Sequence, residues 1–289
     1  MEIVLGKTAG FCYGVKNAVT NTEEKLKIYK NIYCLGELVH NGEVIKKLEN
    51  LGLKVVDKIE DSDSRIIIRA HGIEKEVYDK AKKMNIEFFD YTCPKVLKIH
   101  EIAEEYANMG YFIILFGGQN HPESVGTISF CGQNSCLIET KEQIEYALEK
   151  LAKSNIKKLL VIVQTTFSME KFIEYTEIIK NKIPNDIKIE IKNTICNATQ
   201  IRQEETEKIS KIVDCMIIIG GKNSSNTKKL YDIACKNCEN TFIIETKDEI
   251  EREKIEKFDK IGIMAGASTP KESIDDVINK ILVRECVYN

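Results

Sequence analysis

The chain has 289 residues, enough for about two domains at roughly 150 residues each. It is 43% hydrophobic and 30% charged, and 42 basic residues against 45 acidic ones leave a net charge of −3, which excludes the electrostatic footprint of a nucleic-acid binder. The opening "MEIVLGKTAG" has no basic n-region or long apolar core, and the longest apolar run, "YFIILF", is far too short to span a bilayer. We therefore read the protein as soluble and cytoplasmic, with neither nucleic acid nor a membrane as partner. Ten cysteines in a reducing compartment point to core positions, metal ligation or chemistry rather than to disulfides.

In chain order, the first feature is "AGFCYGVKNAV", where Cys12 stands in a Gly-bracketed turn. Directly after it Val15, Ala18, Val19 and Leu26 recur at helical spacing. His40 follows in "LVHNGEV", beside an Asn-Gly turn signal. "RIIIRA" (65–70) opens a series of five short β-branched runs, continued by "YFIILF" (111–116), "KLLVIV" (158–163), "CMIIIG" (215–220) and "KIGIMA" (260–265). Runs of this kind suit parallel strands buried on both faces. Between them, "KEVYDKAKKMN" and "VLKIHEIAEEYANMG" have helical spacing. In the second, Val96, Ile99, Ala103 and Tyr106 share a face, and His100 is assigned to the surface. Alternating strands and helices predict an α/β fold with right-handed crossovers.

Ligands of such folds bind beyond the carboxyl ends of the strands, and the loops there are unusual. "RAHGIEKE" holds His71, "GGQNHPESVG" holds His121 with Glu123 two residues on, and "QTTFSME" offers Thr165. "GGKNSSNTKK" brings Ser224, Ser225 and Asn226 to a helix start, and "AGASTPKES" places Ser268 before Thr269-Pro270. Helix N-termini bind phosphate through N–H groups and the dipole. Ser and Asn also serve there as plain caps, so each loop alone reads either way. Loop histidines suit anion binding or proton transfer, and Glu123 is a candidate general acid.

Two further cysteines resemble Cys12 in setting. Cys93 precedes Pro94, a residue favoured at the first helical position, and Cys196 in "NTICNATQIRQEE" also stands before a helical pattern. Helix N-termini favour the thiolate, the form that ligates metal. The three are 81 and 103 residues apart, which matches no local metal motif. They are either unrelated thiols or a three-thiolate set that leaves one metal position open. Cys131, Cys136, Cys235 and Cys238 could imitate a zinc site of four thiolates, although the last pair ends a helical run. Cys34, Cys215 and Cys286 read as core or incidental residues.

The segments "AGFCYGV", "LVHN", "RAHG", "CP", "HPE", "QTT", "NSSN" and "AGAS" follow one another over essentially the whole chain. In that order they resemble the 4-hydroxy-3-methylbut-2-enyl diphosphate reductase family, the last enzyme of the non-mevalonate isoprenoid pathway. The resemblance implies three similar small α/β domains with mainly parallel sheets around a central iron–sulfur cluster, which we place at 14–92, 93–193 and 1–13 with 194–289. It implies one [4Fe-4S] cluster held by Cys12, Cys93 and Cys196 with an open fourth iron. It further implies a diphosphate held by His40, His71, His121, Ser224, Ser225, Asn226 and Ser268. Glu123 becomes the proton source, and Thr165 a contact to the substrate hydroxyl or to Glu123.

The implied reaction is a two-electron reductive dehydroxylation to isopentenyl and dimethylallyl diphosphate, with reduced ferredoxin or flavodoxin as electron donor. Two positions depart from the family pattern: Ser124 stands where a β-branched aliphatic residue is usual, and Ser129 where glycine is usual. Some relatives carry an RNA-binding domain, which is not expected after residue 289. The alternatives are a cluster-containing dehydratase, which needs no reductant, and a phosphate-binding or redox-sensing module that consumes nothing.

Overall fold

The computed structural model describes residues 1–58, 65–84 and 86–282. Its elements begin with β1 (Glu2–Leu5), α1 (Tyr13–Ile28), β2 (Ile32–Leu35), α2 (Gly42–Asn50), β3 (Leu53–Val56), β4 (Arg65–Ile68), α3 (Lys75–Lys83) and β5 (Phe88–Asp90). Then come α4 (Pro94–Asn108), β6 (Phe112–Phe116), α5 (Pro122–Phe130), β7 (Ser135–Ile138), α6 (Gln143–Lys153), β8 (Lys158–Val163), α7 (Met169–Lys182) and β9 (Lys188–Ile191). The last part contains α8 (Asn197–Ser210), β10 (Cys215–Ile219), α9 (Ser225–Cys235), β11 (Thr241–Ile244), α10 (Arg252–Ile255), β12 (Lys260–Ala265) and α11 (Lys271–Leu282).

The described strands form three four-stranded sheets, ordered β3-β2-β4-β5, β7-β6-β8-β9 and β11-β10-β12-β1, and every pairing is parallel. The expected α/β architecture is therefore observed. In all three the spatial order is second, first, third, fourth, with β10 counted first in the last sheet and the N-terminal β1 supplying its fourth strand. The chain divides into two compact units. One comprises Met1–Lys16, Val39–Lys47 and Asn197–Asn289 and holds the sheet with β1. The other comprises Asn17–Leu38 and Leu48–Cys196 and holds the remaining two sheets.

Burial on both faces explains the apolar runs. In β6 all five residues are buried, and successive side chains leave opposite faces of the sheet. Phe112, Ile114 and Phe116 join one core cluster with Leu159, Val161 and Val163, while Ile113 and Leu115 join the other with Leu160 and Ile162. β10 divides likewise, Ile217 and Ile219 to one side and Met216 and Ile218 to the other. Replacing Ile114 with Ala should lower stability by about 2–5 kcal/mol, the range for a buried large-to-small change, seen as an earlier midpoint in denaturant. A shift below about 0.5 kcal/mol would mean that the site collapses around the deletion.

One reading is corrected. His100 is not on the surface: it is 4% exposed and stacks on Phe130 with ring centroids 4.3 Å apart. Burial lowers its pKa to about 4, so it packs as a neutral ring. A helical-spacing count cannot show this, because α4 is covered on more than its aliphatic face. Cys286 lies outside the described residues.

Candidate active site

The candidate residues fall at repeated positions of the three sheets. Five residues past each first strand stand His40 (after Leu35), His121 (after Phe116) and Ser224 (after Ile219). The third strands are followed two residues on by Ala70, Thr165 and Ala267, with His71 and Ser268 next in their loops. First and third strands are neighbours from which the chain winds in opposite directions, and the crevice at such a switch point is where α/β sheets bind ligands.

Each fourth strand leads to a cysteine and then a helix: β1 to Cys12 and α1, β5 to Cys93 and α4, β9 to Cys196 and α8. The backbone repeats as well. The N–H groups of Cys12, Cys93 and Cys196 donate to the carbonyls of Ala267, Ala70 and Thr165 at 3.1, 3.0 and 3.0 Å. All three cysteines are half-buried. Cys93 takes the N-cap position of α4 without its thiol making a cap bond.

The other thiols suit ligation less well. Burial pushes Cys34, Cys131 and Cys215 up to about 12, and it raises Cys136 too, so these stay protonated. Cys235 is exposed at the end of α9. Among the described residues no group of three or more His, Cys, Asp or Glu is placed to hold a single metal ion. An iron–sulfur cluster takes its thiolates on separate irons, a different requirement. The repeated setting of Cys12, Cys93 and Cys196 fits thiolate ligation of such a group.

In the larger unit, Glu123 is 2% exposed on the first turn of α5. Thr165 donates to both its oxygens, through N–H to Oε1 and through the hydroxyl to Oε2, each at 2.6 Å. Burial raises the Glu123 pKa to about 7 against the pull of these two bonds. The Thr165 carbonyl takes the Cys196 N–H, so one residue joins the acid to the loop of a cysteine. Beside them, His121 caps α5 by accepting the Glu123 N–H on Nδ1 at 3.2 Å. That bond puts the neutral ring's proton on Nε2, as a donor. His71 meets His121 edge-on, with centroids 5.7 Å apart. Gly72, next to His71, has φ +76, and a Cβ there would lie 2.8 Å from the His100 ring.

Both departures from the family pattern have partners. The buried Ser124 hydroxyl donates to Gln164 Oε1 at 3.1 Å, and the same oxygen accepts the Gly118 N–H. That ties α5 to the loop of Thr165. Ser129 accepts the Lys75 N–H at 2.8 Å and donates to the Gly126 carbonyl at 2.6 Å, closing the start of α3. The sequence marks "QTT" as a segment but not the role of Gln164, whose partners Ser124 and Gly118 lie 40 and 46 positions away.

In the smaller unit, Ser224 caps α9 by accepting the Thr227 N–H. Ser268 is 5% exposed and donates to the His40 carbonyl at 2.9 Å. A Cβ on Gly221 would stand 2.7 Å from that carbonyl, so only glycine lets the two loops approach. Asn226 is 3% exposed, and neither Oδ1 nor Nδ2 meets a hydrogen-bond partner among the described residues. A buried amide in that state is costly unless a ligand completes it. Its place on the first turn of α9 suits an anion.

The chain matches the LytB protein family over residues 3–282, and it belongs to that family. A relative from Caldanaerobacter subterraneus subsp. tengcongensis, named 4-hydroxy-3-methylbut-2-enyl diphosphate reductase, is 42% identical over 287 residues, covering 97% of this chain and 96% of the relative. One of the same name from Clostridioides difficile is 41% identical over 281 residues, covering 96% and 98%. A solved structure described as that reductase, the terminal enzyme of the non-mevalonate pathway, superposes with a TM-score of 0.71 at 38% identity and covers 97% of this chain and 99% of its own. The Plasmodium falciparum structure of E-1-hydroxy-2-methyl-but-2-enyl-4-diphosphate reductase gives 0.87 at 31% identity, covering 96% and 87%. Among the described residues no helix is long and apolar enough to cross a membrane.

Proposed function

We propose that the protein reduces 4-hydroxy-3-methylbut-2-enyl diphosphate to isopentenyl and dimethylallyl diphosphate, the last step of the non-mevalonate isoprenoid pathway. The C–O bond breaks and a C–H bond forms: two electrons and two protons enter, and the hydroxyl oxygen leaves as water. Cys12, Cys93 and Cys196 each supply a thiolate to one [4Fe-4S] cluster, the fourth iron remaining open. Bound there, such a group supplies electrons and a Lewis-acidic iron. The partition into 14–92, 93–193 and 1–13 with 194–289, a cytoplasmic location and reduced ferredoxin or flavodoxin as donor belong to the same reading.

The observation that carries it is Thr165, which binds both oxygens of the buried Glu123 and takes the Cys196 N–H on its carbonyl. A carboxyl titrating at about 7 is poised as a general acid at neutral pH. When Glu123 holds the proton, the Thr165 hydroxyl accepts it and turns its own hydrogen outward, so the pair relays a proton to a substrate hydroxyl. His40, His71, His121, Ser224, Ser225, Asn226 and Ser268 hold the diphosphate through N–H and O–H donors, with the dipole of α9 adding to the attraction.

The test is anaerobic purification, then consumption of the hydroxylated allylic diphosphate with a low-potential reductant. Formation of both five-carbon diphosphates is the expected result. No turnover by a preparation that holds its iron and sulfide would sink the reading, and turnover without reductant would favour a dehydratase. Asn226→Ala should raise KM by about 10-fold or more, the loss of one or two bonds to a charged ligand, with a smaller effect on kcat. The same change removes two orphaned buried atoms, so the unliganded protein should be at least as stable as its parent. Higher KM together with lower unliganded stability would mean that the amide has a structural partner instead.

A further inference from the structure

The three candidate ligand loops differ in how they are held. Cys93 stands three residues past its strand and Cys196 five, whereas Cys12 stands seven past Leu5. Each shorter loop has a side-chain bond of its own, Thr92 N–H to Asp90 Oδ1 at 2.9 Å and Ile195 N–H to Asn193 Oδ1 at 3.0 Å, beside bonds to Tyr78 and Val163 outside it. The longest loop has an internal backbone bond, Ala9 N–H to the Gly6 carbonyl at 3.2 Å. Its ends are held by β12 and the loop after it, through Gly6 N–H to the Ile263 carbonyl and Cys12 N–H to the Ala267 carbonyl. Residues 7–10 between them are tied by one face of α8.

Arg202, 3% exposed, donates Nε and Nη2 to the Thr8 carbonyl at 2.9 and 2.6 Å, and Nη2 also to the Gly10 carbonyl at 2.8 Å. Glu205, one turn further on, takes the Lys7 N–H on Oε1 at 2.8 Å. Its Oε2 takes the N–H and hydroxyl of Thr8 at 2.9 and 2.5 Å. Burial alone would raise the Glu205 pKa, but the bonds from Thr8 and Lys7 hold it below the usual carboxylate range. Residues three apart on a helix share a face, so two side chains act as one clamp with six hydrogen bonds. Loop N–H and C=O groups outside regular structure need such partners when buried. The forked guanidinium suits two carbonyls in a way that a single ammonium does not.

We propose that Arg202 and Glu205 are positioning residues for Cys12, holding the 6–12 loop so that its thiol stands ready as a ligand. This rests on the assignment of Cys12 as a cluster ligand. α8 begins one residue after Cys196, so the helix that one ligand leads into fixes the loop of another.

The test is Arg202→Met, with Arg202→Lys as the conservative variant. In cluster-free protein, the alkylation rate of each cysteine by iodoacetamide is followed by mass spectrometry. Cys12 should react at least about fivefold faster in Arg202→Met, the release expected when buried carbonyls lose their partners, while Cys93, Cys196 and the exposed Cys235 stay within about twofold. Arg202→Lys should fall between variant and parent. In the loaded protein, a chelator should strip iron from Arg202→Met at least about fivefold faster.

An unchanged Cys12 rate would overturn the proposal, as would all four thiols quickening together, which marks general loosening. If Arg202→Met does not fold, Glu205→Ala decides by the same readout, with a rise of about threefold at Cys12 alone expected and no rise overturning the idea. A parent that holds no iron removes Cys12 from its proposed role, yet the alkylation rates still decide whether the clamp exists. The two failures are therefore separable.

Discussion

Glu123→Gln should lower kcat by about 10²–10⁴, the usual contribution of a positioned general acid, while iron content and visible spectrum match the parent. Gln can keep the geometry, with Oε1 accepting the Thr165 N–H and Nε2 donating to the Thr165 hydroxyl, but it has no proton to deliver. In the parent, kcat should fall above about pH 7 as the carboxyl, raised to about 7 by burial, loses its proton. Turnover within a few-fold of the parent would remove Glu123 as the essential acid.

The same residue makes a stability prediction. Its folded pKa of about 7 lies above the ordinary glutamate value of 4.5, so between these values the folded chain keeps a proton that the unfolded chain releases. Stability from this group is therefore full below about pH 4.5 and is lost as pH rises through 7. Between pH 5 and pH 8 the parent should lose about 2.5 kcal/mol that Glu123→Gln does not lose. Parallel pH curves for the two would show that the carboxyl is ionised in the fold throughout.

Serine at Cys12, Cys93 or Cys196 should each reduce iron per chain to less than about a fifth and turnover by at least about 100-fold, because a neutral hydroxyl does not replace a thiolate on iron. Cys131→Ala and Cys215→Ala are the controls. Those thiols are buried and held up to about 12, so the variants should keep their iron and lose only stability. If one of the three serine variants kept full iron and its spectrum, that cysteine would leave the ligand set. If a control lost its iron while remaining folded, the set would have to be redrawn.

Much of the fold could be read from the amino acids alone. All five apolar runs are inner strands: β4, β6, β8, β10 and β12. The edge strands carry weaker signals: β9 reads "KIEI" with one exposed residue and three half-buried ones, so its half-exposed face interrupts the apolar run. β2, the remaining inner strand, reads "IYCL", where Tyr33 and Cys34 interrupt the β-branched pattern that marks β4. A repeat was nevertheless visible. Gly36, Gly117 and Gly220 each follow a first strand, four residues ahead of His40, His121 and Ser224.

By itself the sequence determined where the chemistry sits along the chain: polar loops after apolar strands and cysteines before helices. Local spacing dictates these features, since strand burial, helix capping and turn chemistry depend on near neighbours. Only the tertiary structure decided which residues answer one another. Thr165 meets Glu123 42 positions away, and Arg202 meets Thr8 across 194, because parallel crossovers bring loop ends together regardless of chain distance. Burial likewise decided the protonation of Glu123 and His100. The free energy of a charge depends on what surrounds it in space, and no local pattern of residues records that.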